Sequence, residues 1–459
     1  MPPSAIRVKP EEIDTAEKRE KYAVSIIDND RTGILCACLF AKTGFKVTYA
    51  NPDQTTVNLL AKGKAAFLKQ ETGNVLKSLV RSSRLTATSD IKNAVSKSDI
   101  VGVVVGAKID EKNKVDFSEM ENMYKKVGSN LHLGSLVIVL GTVEVGATEG
   151  VIKEILENTS GLKSGVDFGL AYSPNQASIS QKLESLEPHE RVAAASEKTI
   201  LDAASIIMET VAGKSVKRTT NVRVAEAAVL FDSVQNDVNG ALANEFGLFC
   251  EKAGLDRIEV SRLFNSETGN PILSPIVAEK GVQERTCLLI DNAESLNSKL
   301  RIPSIAKEIN DEAIKHVITL TQNALRICDK TLRRARITLL GISQIPNAKS
   351  PPKAAAKRLT KMLVAKGAKV CVHDPYFMES ELPEGSFPFK RSLTEAIEGA
   401  DCIIILTAHD QFKRLNFGKL KIVMRVPAAI VDLEGIVEPD KIEKEGFIYR
   451  GLGRGVWKK

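Results

Sequence analysis

From Tyr22 onward, short β-branched runs alternate with longer stretches whose apolar residues recur every three or four positions. Val24 to Ile27 reads as a strand, Leu35 to Lys42 as a helix and Val47 to Ala50 as a second strand, which predicts a βαβ opening. Apolar runs at Ile100 to Val105, Leu136 to Leu140 and Phe168 to Tyr172 are separated by segments long enough for helices, so this half is expected to form a doubly wound parallel sheet ending near Lys217. The period then changes. Phe231, Val234, Val238, Leu242, Phe246 and Phe249 fall three or four apart, as one face of a long helix between Val224 and Lys252 requires. Ile309, Ala313, Val317, Leu320, Ala324 and Ile327 repeat the pattern on a second helix, and the Gly and Pro residues of Asn265 to Arg301 predict a loop between the two. After the basic run Lys330 to Arg336, a second α/β unit is expected from the runs Ile337 to Gly341, Lys369 to His373, Cys402 to Leu406 and Ala429 to Asp432.

Composition leaves this picture intact and narrows the setting. With 459 residues, 43% hydrophobic and 26% charged, the chain can bury the cores of two or three domains. The formal net charge is +7, but Lys and Arg are interleaved with Asp and Glu rather than gathered into an aromatic-flanked patch, so nucleic acid is not an expected partner. The seven cysteines are scattered and free of metal-ligand spacing, which suits a reduced cytosol and predicts no metal. The N-terminus lacks the apolar core of a signal peptide and no run approaches about 18 apolar residues, so a cytoplasmic protein without a membrane partner is expected.

Four motifs then carry a resemblance: Leu-Ala-Tyr-Ser-Pro at 170 to 174, Val-His-Asp-Pro-Tyr at 372 to 376, His-Asp-Gln-Phe at 409 to 412 and Tyr-Arg-Gly-Leu-Gly-Arg-Gly at 449 to 455. In this order and spacing the chain resembles, from about Tyr22 to Trp457, the UDP-glucose/UDP-N-acetylmannosamine dehydrogenase family of nucleotide-sugar 6-dehydrogenases, as a divergent member. The resemblance implies two Rossmann-like doubly wound parallel-sheet domains joined by a long central helix. After an N-terminal extension (1–21) come an NAD-binding-type domain (22–217), a central helical dimerisation domain (218–330) and a UDP-sugar-binding-type domain (331–459). It also implies oxidation of a UDP-sugar's C6 alcohol to a carboxylate, in two hydride transfers to NAD through a cysteine-linked thiohemiacetal and thioester.

Position by position, the side chains depart from that chemistry. The family's G-x-G-x-x-G reads Asp28-Asn29-Asp30-Arg31-Thr32-Gly33, so only Gly33 remains and two carboxylates stand where a pyrophosphate would sit. Like charges about 5 Å apart repel by roughly 3 kcal/mol at an effective dielectric near 20, which Arg31 would offset in part. Asn51 replaces the acidic residue on the ribose hydroxyls, and Thr142 with Gly146 matches a Thr-Val-Pro-Pro-Gly turn near the nicotinamide whose prolines are here Glu144 and Val145. The preceding Val-Pro-Thr-Pro element has become Val105-Gly106-Ala107-Lys108. The expected cofactor set is therefore Gly33, Arg31, Asn51 and Thr142.

For catalysis the resemblance places the family's lysine at Val229, its asparagine at Ser233 and its glutamate at Asn175. The nucleophile persists as Cys287, with Asp291 four residues on and Arg285 able to supply an electropositive setting, so Cys287, Asp291 and Thr142 form the candidate catalytic set. The bland alternative makes Cys287 a small buried hydrophobe and Asp291 a cap or a solvated carboxylate. On the sugar side the family's lysine falls at Ile345 before Pro346-Asn347, an arginine segment is missing before Ser350-Pro351, and an Asp-Gly-Arg element reads Asp432-Leu433-Glu434.

The replaced positions are functional ones, whereas the periodicities that build the fold are intact. The expectation is a folded paralogue with lost or much reduced activity, paired as a homodimer, or as a heterodimer with an active relative, through the central helix. One rival is an active NAD-dependent UDP-sugar 6-dehydrogenase with a rearranged site using Cys287. Another is a UDP-sugar-binding module without chemistry.

Overall fold

A computed structural model describes residues 8–65, 70–109, 114–174, 191–268, 282–348, 352–378, 382 and 388–455. It divides into two compact units, Met1–Ser233 with Cys287–Lys299 and Val234–Thr286 with Leu300–Lys459.

The first unit is built on β1 (Ala23–Ile27), β2 (Lys46–Ala50), β3 (Leu85–Thr88), β4 (Ile100–Val103), β7 (Leu136–Val139), β8 (Gly169–Tyr172), β9 (Arg191–Ala194) and β10 (Val216–Thr219), while β5 (Lys108–Ile109) and β6 (Val115–Asp116) form a separate hairpin. The sheet order is β10-β9-β8-β7-β4-β1-β2-β3. Pairing is parallel except at β8–β9, where Tyr172 meets Ala194 antiparallel, so the edge pair β9–β10 runs against the rest. Strands β4, β7 and β8 are buried throughout, because helices cover both faces of the sheet. Alternate residues feed separate cores: Leu136 and Ile138 join the one containing Val24 and Ile26, and Val137 and Val139 the one containing Ile27. The helix after β1, Gly33–Lys42, is apolar all round and buried from Gly33 to Ala41. Within the N-terminal extension Val8 and Ile13 are buried, and Arg19 donates to the carbonyls of Ile13, Asp14 and Thr43.

The second unit carries a parallel sheet in the order β12-β11-β13-β14-β15, from β11 (Arg336–Leu340), β12 (Lys369–His373), β13 (Cys402–Ile405), β14 (Ala429–Asp432) and β15 (Ile448–Gly451). Leu339, Val372, Ile404 and Val431 pack on one face, and Leu340, Ile403, Ile405 and Ile430 on the other.

The central helix, Val222–Ala253, runs across the division between the units, and Arg301–Ile327 is the second long helix. The predicted apolar stripe exists, but four of its six residues face outward. Phe231, Leu242, Phe246 and Phe249 are exposed, Val238 is half-buried, and Val234 is buried, as are Ala241 and Ala243 beside it. Buried polar groups join the long helices: Asn310 Nδ2 donates to the Asp237 carbonyl at 2.9 Å and Asn244 Nδ2 donates to Asn310 Oδ1 at 3.0 Å. The loop expected over Asn265 to Arg301 is corrected. Helices occupy Arg257–Thr268 and Val282–Ser295, because Gly269, Pro271, Pro275 and Gly281 all fall between them, in residues 269–281 that lie outside the described ones. No described helix is long and apolar enough to cross a membrane.

Candidate functional site

In the first unit the strand order reverses between β1 and β4, so the crevice at their carboxyl ends is where an open α/β sheet takes a ligand. Its floor is the turn Asp28 to Gly33. Asp28 is fully buried, and its Oδ1 accepts from the N–H groups of Asn29 (2.7 Å) and Asp30 (3.1 Å). Its Oδ2 accepts from the N–H of Gly33 (2.8 Å) and from the hydroxyl of Tyr49 (2.8 Å). A dinucleotide pyrophosphate needs these same N–H groups. Burial, together with the charge of Asp30, pushes the Asp28 carboxyl up to about 6 against the lowering by its donors. Asp30 turns to solvent and accepts from the N–H of Thr32.

The other cofactor candidates are engaged as well. Asn51 is buried, its Nδ2 donating to the Tyr49 oxygen at 2.9 Å and its Oδ1 accepting from the N–H of Asp53 at 2.9 Å, which leaves neither end toward a ribose. Arg31 sits at φ +88° and donates through Nε to Thr56 Oγ1 at 2.9 Å, with a guanidinium nitrogen 3.6 Å from Asp53. A Cβ on Gly33 would lie 3.0 Å from Asp28 Oδ2, so the missing side chain makes room for the chain's own carboxylate.

Thr142 lies half-buried on the turn after β7, its carbonyl so close to Gly106 that a Cβ there would stand 2.5 Å away. The same turn is held by Glu226 of the central helix, which is fully buried and accepts from the N–H groups of Gly146 (2.5 Å) and Thr148 (2.9 Å). Sequence reasoning missed Glu226. Its signal is a single acid in the apolar stretch from Val224 to Leu230. Three residues on, Val229 is 2% exposed in the core shared with Val143, Ala147 and Tyr172. Ser233 donates its hydroxyl to the Val229 carbonyl at 3.1 Å.

Cys287 and Asp291 sit one turn apart on the helix Val282–Ser295 rather than on a loop, with Cys287 buried and Asp291 exposed. Burial and the charge of Asp291 raise the Glu144 carboxyl to about 7. The structure therefore brings Asp291 near Glu144, a residue standing where the family has a turn proline. Asn175 lies outside the described residues.

In the second unit the order reverses between β11 and β13. Asp374 Oδ2 accepts from the N–H groups of Ile342 (2.8 Å) and Ser343 (2.9 Å), from Ser343 Oγ (2.8 Å) and from His409 Nε2 (3.2 Å), and Oδ1 accepts from the N–H of Tyr376 (2.9 Å). The Asn347 N–H donates to His409 Nδ1 at 2.9 Å, so both ring nitrogens are engaged within the loop. Glu434 forms an ion pair with Lys353 at 3.0 Å, so the anion introduced there is neutralised by the chain itself. Asp432 accepts from the N–H groups of Glu434, Gly435 and Val437 and shapes the turn. The Tyr-Arg-Gly-Leu-Gly-Arg-Gly motif is a clasp: Arg454 donates to Asp256 and to the Tyr449 oxygen, and the Gly453 N–H donates to Glu251. Ser350 and Pro351 lie outside the described residues.

Two family models match the chain: UDP-glucose/GDP-mannose dehydrogenase family, NAD binding domain, over residues 23–234, and UDP-glucose/GDP-mannose dehydrogenase family, UDP binding domain, over residues 338–439. The chain is 26% identical over 435 residues to a UDP-N-acetyl-D-mannosamine dehydrogenase of Pyrococcus horikoshii, covering 94% of this chain and 99% of the relative. It is 24% identical over 442 residues to a UDP-glucose 6-dehydrogenase of Rhizobium meliloti, covering 94% and 99%. A solved structure of the UDP-D-ManNAc dehydrogenase from Pyrococcus horikoshii superposes with a TM-score of 0.84 at 25% identity, covering 95% of this chain and 100% of that one. The chain therefore belongs to the UDP-glucose/GDP-mannose dehydrogenase family, whose reaction is the NAD-dependent dehydrogenation of a nucleotide sugar.

Proposed function

We propose that this chain has lost the family's oxidation, or retains very little of it, and serves as a partner or regulatory paralogue that pairs through the central helix. The observation that carries this reading is Val229. At the position where the resemblance places the family's lysine, an apolar side chain is 2% exposed within a packed core. One turn later Ser233, at the position of the family's asparagine, spends its hydroxyl on its own helix. No cation and no amide from these two positions can steady an alkoxide, and each lost donor of this kind raises a barrier by roughly 3 kcal/mol. The β1 turn points the same way: its N–H groups already hold Asp28, so its residues do not fit the pyrophosphate of NAD.

The test is direct. Purified protein incubated with NAD and either UDP-N-acetylmannosamine or UDP-glucose is expected to give no rise in absorbance at 340 nm over a protein-free blank. Turnover near the common enzyme value of about 10 per second would sink the reading.

The partner role is supported by the outward stripe. Phe231, Leu242, Phe246 and Phe249 occupy one face of the central helix, and Phe249 alone is 64% exposed. Large apolar side chains contiguous along a helix mark an association surface more often than a solvated one. Replacing Phe246 and Phe249 together with Glu is expected to halve the mass of wild-type homodimers by light scattering, with the circular dichroism unchanged. An unaltered dimer mass would place the interface elsewhere.

A further inference from the structure

We infer that Asp28 is a resident anion, a side chain that fills the phosphate cradle of the first unit and holds it in a form closed to any exogenous diphosphate. This deepens the reading above and rests on it for the identity of the displaced group.

The geometry is that of a bound anion. Two oxygens receive four donors, three of them backbone N–H groups of the turn and the start of the following helix, and the carboxylate has no exposure to solvent. The helix Gly33–Lys42 begins at this point, so the partial positive charge of its first turn faces Asp28. The support continues outward. Tyr49 is held by Asn51, Asn51 by the N–H of Asp53, and Asp53 accepts from the hydroxyl of Thr56 at 2.6 Å while Thr56 Oγ1 accepts from Arg31 Nε. The positions expected to contact pyrophosphate and ribose thus form one continuous hydrogen-bonded chain among themselves. Gly33 completes the arrangement, since a Cβ there would come within 3.1 Å of the Asp28 Cβ and Cγ.

An alternative is that Asp28 merely anchors the helix while a phosphate still binds further out. The two readings differ in what removal of the side chain does. In the first, Asp28→Gly vacates a ready cradle; in the second, it adds no affinity.

The experiment uses the full chain and inorganic pyrophosphate. Wild-type protein is expected to show no heat on titration with millimolar pyrophosphate and no change in Tm. Asp28→Gly is expected to melt lower than wild type and to recover part of the loss when millimolar pyrophosphate is added, because the vacated N–H groups take the ligand's oxygens. Asp28→Asn removes the charge but keeps the volume, and is expected to show no such recovery. Pyrophosphate binding by wild type, or an Asp28→Gly variant that folds and gains neither binding nor protection, overturns the proposal. The wild-type titration decides the matter even where the glycine variant does not fold. None of these readouts needs turnover, so NADH formation would reject the loss of activity without being confused with a failure here.

Discussion

Asp374→Ala is expected to destabilise the second unit by about 4 kcal/mol or more, because one buried carboxylate there satisfies five donors and each buried donor left unpaired costs roughly 1–3 kcal/mol. Two of them, the N–H groups of Ile342 and Ser343, belong to the turn at the switch point and have no water to fall back on. A third, His409, is fully buried and holds the Asn347 N–H through its other nitrogen, so the loss spreads along the loop. A drop of this size corresponds to roughly 10 °C in Tm for a unit of about 200 residues. The pH dependence has a definite sign. Burial alone would raise the Asp374 carboxyl, but the hydrogen bond from His409 and the N–H groups of Tyr376 and Ser343 outweigh it and hold the group at about 2. A folded value below the unfolded 3.8 means stability that is complete above pH 4 and lost as pH falls through 2, on the order of 2 kcal/mol. Denaturant melts of wild type and Asp374→Asn should therefore converge on acidification. If the alanine variant melts within about 1 kcal/mol of wild type at pH 7, the turn is held by something other than Asp374.

Much of the fold was legible because both sheets are buried on two faces and announce themselves as continuous β-branched runs. Val24 to Ile27, Leu136 to Leu140 and Ala429 to Asp432 reappear as β1, β7 and β14 within a residue or two. Strand β3 did not announce itself, since Leu-Thr-Ala-Thr at the sheet edge buries only Leu85. The helix Val282–Ser295 was hidden by the glycines and prolines just before it. The site was harder for a different reason. Counting charges at Asp28 gives repulsion toward a phosphate, but not that the carboxylate folds inward and takes the donors the phosphate would have used. Which way a short acidic side chain turns depends on Tyr49, 21 residues away, and no local pattern reveals that pairing. Glu226 is the same case at longer range, bridging to N–H groups about 80 residues away. The outward stripe of the central helix shows the converse limit. Periodicity finds an apolar face, but does not say whether that face meets the chain's own core or a second protein.

Introducing lysine at position 229, where the resemblance places the family's lysine, is expected to damage the fold. Val229 is 2% exposed in a core with Val222, Ala225, Val143 and Tyr172, and the longer side chain overpacks it at a cost of about 1–3 kcal/mol. The ammonium must then either stay charged without water or give up its proton, and buried lysines drop by roughly 3–5 pH units, which is a further penalty of about 4 kcal/mol or more at neutral pH. A buried carboxylate lies one turn earlier on the same helix, Glu226, but its two oxygens are committed to Gly146 and Thr148. Capturing that carboxylate would release the turn that carries Thr142. Val229→Lys should therefore lower Tm by on the order of 10 °C and give no NADH from NAD and UDP-N-acetylmannosamine, alone or combined with Ser233→Asn. A stable, active double variant would mean that the pocket had kept its shape around two missing groups, and that the protein stands two substitutions from an enzyme. The tight packing at Val229 argues instead that the core leaves no room for an ammonium at this position.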